Sequence, residues 1–73
     1  MKKFKKLQIV VYEPGWVRND LDLKDSILKW GEHVLYLGEI PNVPGHCAVA
    51  RHFGEVVWLV HPEDFRHPKK DEL

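Results

Sequence analysis

Histidine and cysteine stand side by side at His46-Cys47, closing the stretch G-E-I-P-N-V-P-G-H-C of residues 38–47. An imidazole beside a thiol is the smallest kit for a cysteine nucleophile, and the same two side chains ligate metals. A reactive thiolate needs a base, a cationic setting and partial exposure. Cys47 instead opens the run C-A-V-A, where a buried structural cysteine is the usual case. Neighbours on a strand point to opposite faces, so His46 and Cys47 are expected to diverge. Metal ligands recur as C-x₂₋₄-C or H-x₃₋₅-H. Here there is a single cysteine, His46 and His52 bracket a turn, and the pair His61-x₅-His67 is loosely spaced. A serine hydrolase would rest on Ser26, the one serine, in an unremarkable D-S-I-L context. No catalytic residue, metal ligand or cofactor is expected, and the histidines read as scattered surface residues.

The elements that position these residues are β-strands. Residues 7–12 (L-Q-I-V-V-Y) are β-branched and aromatic, with Leu7, Ile9 and Val11 on one face. Glu13-Pro14-Gly15-Trp16 ends this strand, and proline followed by glycine predicts a type II turn. Residues 17–25 are polar and without clear period, a long loop; D-S-I-L-K-W (25–30) is one helical turn or an irregular entry, broken by Gly31. Residues 32–37 (E-H-V-L-Y-L) form the second strand, apolar on both faces. Pro44-Gly45 predicts another type II turn. Residues 47–50 form the third strand, Arg51-His52-Phe53-Gly54 a tight hairpin turn, and V-V-W-L-V (56–60) the fourth strand. Residues 61–65 read as one 3₁₀ turn before a short closing strand at Arg66.

This order resembles the SH3 layout over residues 7–66. V-V-Y-E (10–13) is similar to the start of an A-L-Y-D-Y motif, L-K-W-G-E (28–32) to a K-K-G-D diverging turn, and P-E-D-F (62–65) to a P-S-N-Y turn. The resemblance implies an all-β, five-stranded SH3-like barrel with a short 3₁₀ turn before the last strand. By position it carries over Tyr12, Pro62 and Phe65 as groove residues. The sequence departs from peptide-binding SH3 domains where Gly45-His46-Cys47 replaces the tryptophan that opens the third strand. It also departs in the spacing from Gly54 to Pro62.

The chain has 73 residues, net charge zero and one cysteine. It is expected to be a single domain, residues 1–73, with polar tails at 1–6 and 67–73. The lone thiol suits a reducing, cytoplasmic setting. No apolar run approaches the ~20 residues that span a bilayer, so no membrane partner is expected. M-K-K-F-K-K resembles the start of a signal peptide, but the six-residue run behind it contains Gln8 and falls short of the usual apolar region of about 7–15 residues. The final K-D-E-L is expected to be a frayed charged tail with no targeting role.

The aromatic inventory points to recognition. Trp16 follows a turn in a polar loop and, in the SH3-like layout, faces the 38–47 loop, with Tyr12 and Phe65 flooring the space between. The expected function is a small module that docks a protein or peptide partner in this cleft, with Tyr12, Trp16 and Phe65 making apolar contacts and Asn42 and His46 polar ones. The fourth strand, apolar on both faces, suggests a homodimer. The alternative is nucleic-acid binding by a patch of Lys2, Lys3, Lys5, Lys6, Lys69 and Lys70 where the termini meet, near Arg66. A third, a small metal-dependent or Cys-His enzyme, requires a tightly bound stoichiometric metal or a reactive, low-pKa Cys47.

Overall fold

The computed structural model describes residues 4–15 and 27–72. Five strands form, β1 (Ile9–Tyr12), β2 (His33–Glu39), β3 (Cys47–Ala50), β4 (Val56–Val60) and β5 (Phe65–Arg66), with 3₁₀ turns at Pro62–Asp64 and Lys70–Glu72. All ladders are antiparallel, in one sheet of order β4-β3-β2-β1-β5. The protein is therefore all-β, with a 3₁₀ turn before its last strand. Among the described residues no ladder joins β4 to β5, so the hydrogen bonding defines a five-stranded sheet and leaves barrel closure out.

All five strands feed one core: Val10, Tyr12, Val34, Tyr36, Cys47, Val49, Val57 and Phe65, joined by Leu28. A single sheet without a second layer can bury one face only by curling over it. Register shifts between Tyr36 and Gly38 and between Cys47 and Val49 supply bends of this kind. Strand pleat then sorts the side chains. In β1 the core takes Val10 and Tyr12, while Ile9 and Val11 lie on the opposite face. Val11 is nonetheless fully buried, next to Arg66, its register partner on β5.

The turn at Pro44-Gly45 has the expected type II form. Gly45 holds φ at 80°, and the His46 amide donates to the Val43 carbonyl at 3.3 Å. The turn expected at Pro14-Gly15 is different. Gly15 does not adopt a positive φ, so no type II turn forms there. The chain is held instead by the Glu13 amide donating to the Asp64 carbonyl at 2.8 Å and by burial of Pro14. Trp16 and residues 17–26 lie outside the described residues.

The C-terminal segment corrects the expectation of a frayed tail. Arg66 donates from Nη1 and Nη2 to the two carboxylate oxygens of Glu72 at 2.7 and 2.8 Å, and from Nε to Glu13. The Lys69 amide also donates to Glu72, at 2.7 Å. His67 packs on Phe4 with ring centres 4.8 Å apart and lies 2.7 Å from the Gln8 side-chain amide. Hydrogen bonds from Arg66 and the Lys69 amide hold the Glu72 carboxyl down to about 2, against an ordinary 4.5. A lowered carboxyl stabilises the fold above its unfolded pKa, and that contribution fades as pH falls from 4.5 toward 2. Acid titration followed by NMR is expected to release the Lys70–Glu72 turn over that window, and Glu72→Gln to release it already at neutral pH.

Candidate partner-binding surface

Among the described residues, the expected cleft residues do not share one surface. Phe65 is fully buried and Tyr12 nearly so, with ring centres 5.3 Å apart and planes tilted by 54°. These two rings sit in the core and cannot floor an open groove. The cause is the pleat: Tyr12 and Phe65 are register partners on β1 and β5, and both point inward. Asn42 is exposed, with the left-handed φ of 67° that asparagine tolerates in a turn. His46 is half-buried, its Nδ1 3.2 Å from the Pro44 carbonyl oxygen. Trp16, the expected anchor, lies outside the described residues, as do Lys2 and Lys3.

Apolar surface collects elsewhere. The ladders align Ile9 with Leu35, Leu35 with Ala50, and Ala50 with Val56. This row crosses β1, β2, β3 and β4 on the face away from the core, because the neighbours Val10, Val34, Val49 and Val57 point inward. Ile9, Leu35 and Val56 are exposed, and an open groove of about 280 Å³ runs between Ile9, Leu35 and Ala50, flanked by His33 and His52.

Trp58 continues the same face along β4 by strand alternation and is 64% exposed. Leu59 beside it is 58% exposed and holds a φ of 62°, left-handed for a branched residue with no glycine-like freedom. Such strain costs of order 1–2 kcal/mol and falls within the register shift of the β3–β4 ladder, where one strand carries an extra residue. Among the described residues β4 is an edge of the sheet. Its five residues carry no charge and no proline, so it lacks the usual guards against pairing with another chain. The sequence carried part of this signal in the two-faced apolar pattern of residues 56–60; the alignment of Ile9, Leu35 and Ala50 with it needed the registers.

The Cys-His arm of the enzyme alternative lacks an accessible thiol. Cys47 is fully buried in the core, and burial, with Glu39 and Asp64 adding to it, pushes its thiol up to about 11. The two described arginines are also committed. Arg51 donates from Nε to Glu32 Oε2 at 2.6 Å, from Nη2 to Oε1 at 3.1 Å and from Nη1 to Glu55 at 3.1 Å, and stacks over Phe53 at 4.6 Å. Burial works to raise the Glu32 carboxyl, but the Arg51 and Lys29 hydrogen bonds and the Arg51 charge outweigh it, and its pKa is lowered. Arg66 is spent on Glu13 and Glu72.

Described residues near the two ends meet, through His67 with Phe4 and Gln8. This draws the segment with exposed Lys5 and Lys6 toward the one with exposed Lys69 and Lys70, where Asp71 and Glu72 add opposite charge. No helix among the described residues is long and apolar enough to cross a membrane. Comparison with protein-family models, with curated proteins and with solved structures finds no match to this chain.

Proposed function

We propose that this chain is a small binding module that docks a protein partner on the outer face of its sheet, along β4 and the Ile9–Leu35–Ala50–Val56 row. One observation carries the reading. An aromatic and three aliphatic side chains (Trp58, Leu59 and Val56 on β4, Leu35 on β2 across β3) stand exposed, ending at an uncharged strand that has no second ladder partner among the described residues. Exposed apolar patches of this kind mark interaction sites, and tryptophan is among the residues enriched at their anchors. The SH3-like resemblance fits a role in recognition, although the surface differs from the groove that family uses. The second reading, nucleic-acid binding, is favoured by the approach of the lysine-bearing ends and disfavoured by zero net charge and by the commitment of Arg66 to two carboxylates.

The two readings separate cleanly. Wild type, Trp58→Ser and a Lys5/Lys6/Lys69/Lys70→Gln variant are compared for capture of cross-linked protein partners and for binding to single- and double-stranded nucleic acid across a salt series. Protein docking expects partner capture to fall at least tenfold in Trp58→Ser and to persist in the lysine variant. Nucleic-acid binding that drops steeply with salt, survives Trp58→Ser and disappears in the lysine variant overturns it.

A further inference from the structure

The register that pairs Cys47 with Val60 places the next residues outward, His46 and His61, opposite each other at the end of the β3–β4 ladder. Their rings lie with centres 4.5 Å apart and planes at 44°. Both are accessible, His61 exposed and His46 half-buried. The pair is invisible to spacing rules for metal motifs, because fourteen intervening residues fold back as the β3–β4 hairpin.

We propose that His46 and His61 form a two-histidine site for a borderline divalent transition metal ion, Zn²⁺, Ni²⁺ or Cu²⁺. Three features support it. First, two imidazoles bound to one ion, each through a nitrogen at about 2.0–2.1 Å, place their ring centres about 4.5 Å apart at a right-angled ligand pair and about 5.2 Å apart at a tetrahedral one, and the rings here stand 4.5 Å apart, the right-angled spacing and within a small side-chain adjustment of the tetrahedral. Second, His46 Nδ1 lies 3.2 Å from the Pro44 carbonyl oxygen. A carbonyl only accepts, so Nδ1 carries the proton and Nε2 keeps the lone pair that a metal needs. A backbone carbonyl holding the far nitrogen is the usual outer partner of a metal-binding histidine. Third, both residues sit on a rigid frame. His46 ends the Pro44-Gly45 turn, and the His61 carbonyl accepts from the Asp64 amide at 3.0 Å, fixing the start of the Pro62–Asp64 turn. No third His, Cys, Asp or Glu joins them in a ligating group among the described residues. Water fills the remaining positions, so the site is open, and it selects imidazole-seeking ions over Mg²⁺ and Ca²⁺, which prefer oxygen. The ion ties the start of β3 to the end of β4.

The test is titration of the folded protein with zinc chloride and nickel chloride, followed by calorimetry, thermal melting and imidazole ¹H–¹⁵N spectra. One ion per chain is expected, with a raised Tm and with His46 and His61 perturbed together, while magnesium chloride has no effect. His46→Ala and His61→Ala each weaken binding at least tenfold, and His52→Ala leaves it unchanged. Acidification abolishes binding, since coordination needs neutral imidazole. Amide spectra of the variants establish that each is folded. Wild-type affinity in both single variants, or metal-induced shifts at His33, His52 or His67 without the pair, overturns the proposal.

Discussion

Phe65→Ala is expected to lower the unfolding midpoint by roughly 12–40 °C, from a loss of about 3–5 kcal/mol. Phe65 is among the largest side chains with no exposure, and it is half of the strand that carries it. Among the described residues the ladder of β5 has just the registers Val11–Arg66 and Tyr12–Phe65, and the Phe65 ring is what fastens it to the core. Truncation leaves a cavity against Tyr12, which a strand only two residues long cannot close by moving without breaking its ladder. A chain of this size has only about 4–11 kcal/mol of stability in total, so the variant falls near or below the folding threshold. Phe65→Leu keeps most of the volume and is expected to cost less than about 1.5 kcal/mol. Circular dichroism melts of the two variants check this. A melt of Phe65→Ala within a few degrees of wild type would place the ring outside the core.

The same residue shows where the sequence was legible and where it was not. The strands were readable because β-branched runs separated by proline and glycine have few other ways to satisfy their backbone. β3, β4 and the Pro62–Asp64 turn fall at the expected positions. Side-chain direction was not readable. Strands with apolar residues on both faces carry no parity signal to set against the SH3-like layout, which by position puts Tyr12 and Phe65 at a groove, whereas the pleat turns both inward. The Pro14-Gly15 turn was misread for a different reason. Its form depends on Asp64, fifty residues away, which holds the Glu13 amide. The C-terminal segment looked like a solvated tail because its charges were counted without their partner. Once Arg66 grips Glu72 with two hydrogen bonds, the polar residues become a clasp. The apolar row across the outer face and the His46–His61 pair share one cause of invisibility. Each is produced by strand register, and register follows from a core that forms between distant residues.

Cys47 should be almost inert in the native protein, and this prediction bears on catalysis versus recognition. Its thiol is pushed up to about 11 from an ordinary 9.0 by burial and by Glu39 and Asp64. At pH 8 such a thiol carries roughly 100-fold less thiolate than an unperturbed one. Because the sulfur has no exposure, even that fraction can be attacked only after the structure opens. Iodoacetamide labelling of the folded protein at pH 8 is therefore expected to be at least about 100-fold slower than labelling in denaturant. The same shift fixes the sign of a stability effect. A thiol whose folded pKa is raised stabilises the fold below 9, and that stabilisation is lost as pH climbs from 9 toward 11. Tyr36, a core neighbour whose phenol is also raised by burial and by the Cys47 and Glu39 charges, adds to the loss in the same direction. The midpoint of wild type should accordingly fall across this range more steeply than that of Cys47→Ala, with part of the slope left to Tyr36. Rapid native labelling with an apparent pKa below 8 would return the thiol to the list of nucleophiles. The expected slow labelling leaves His46 without a reactive neighbour, and its partner is then the imidazole across the hairpin.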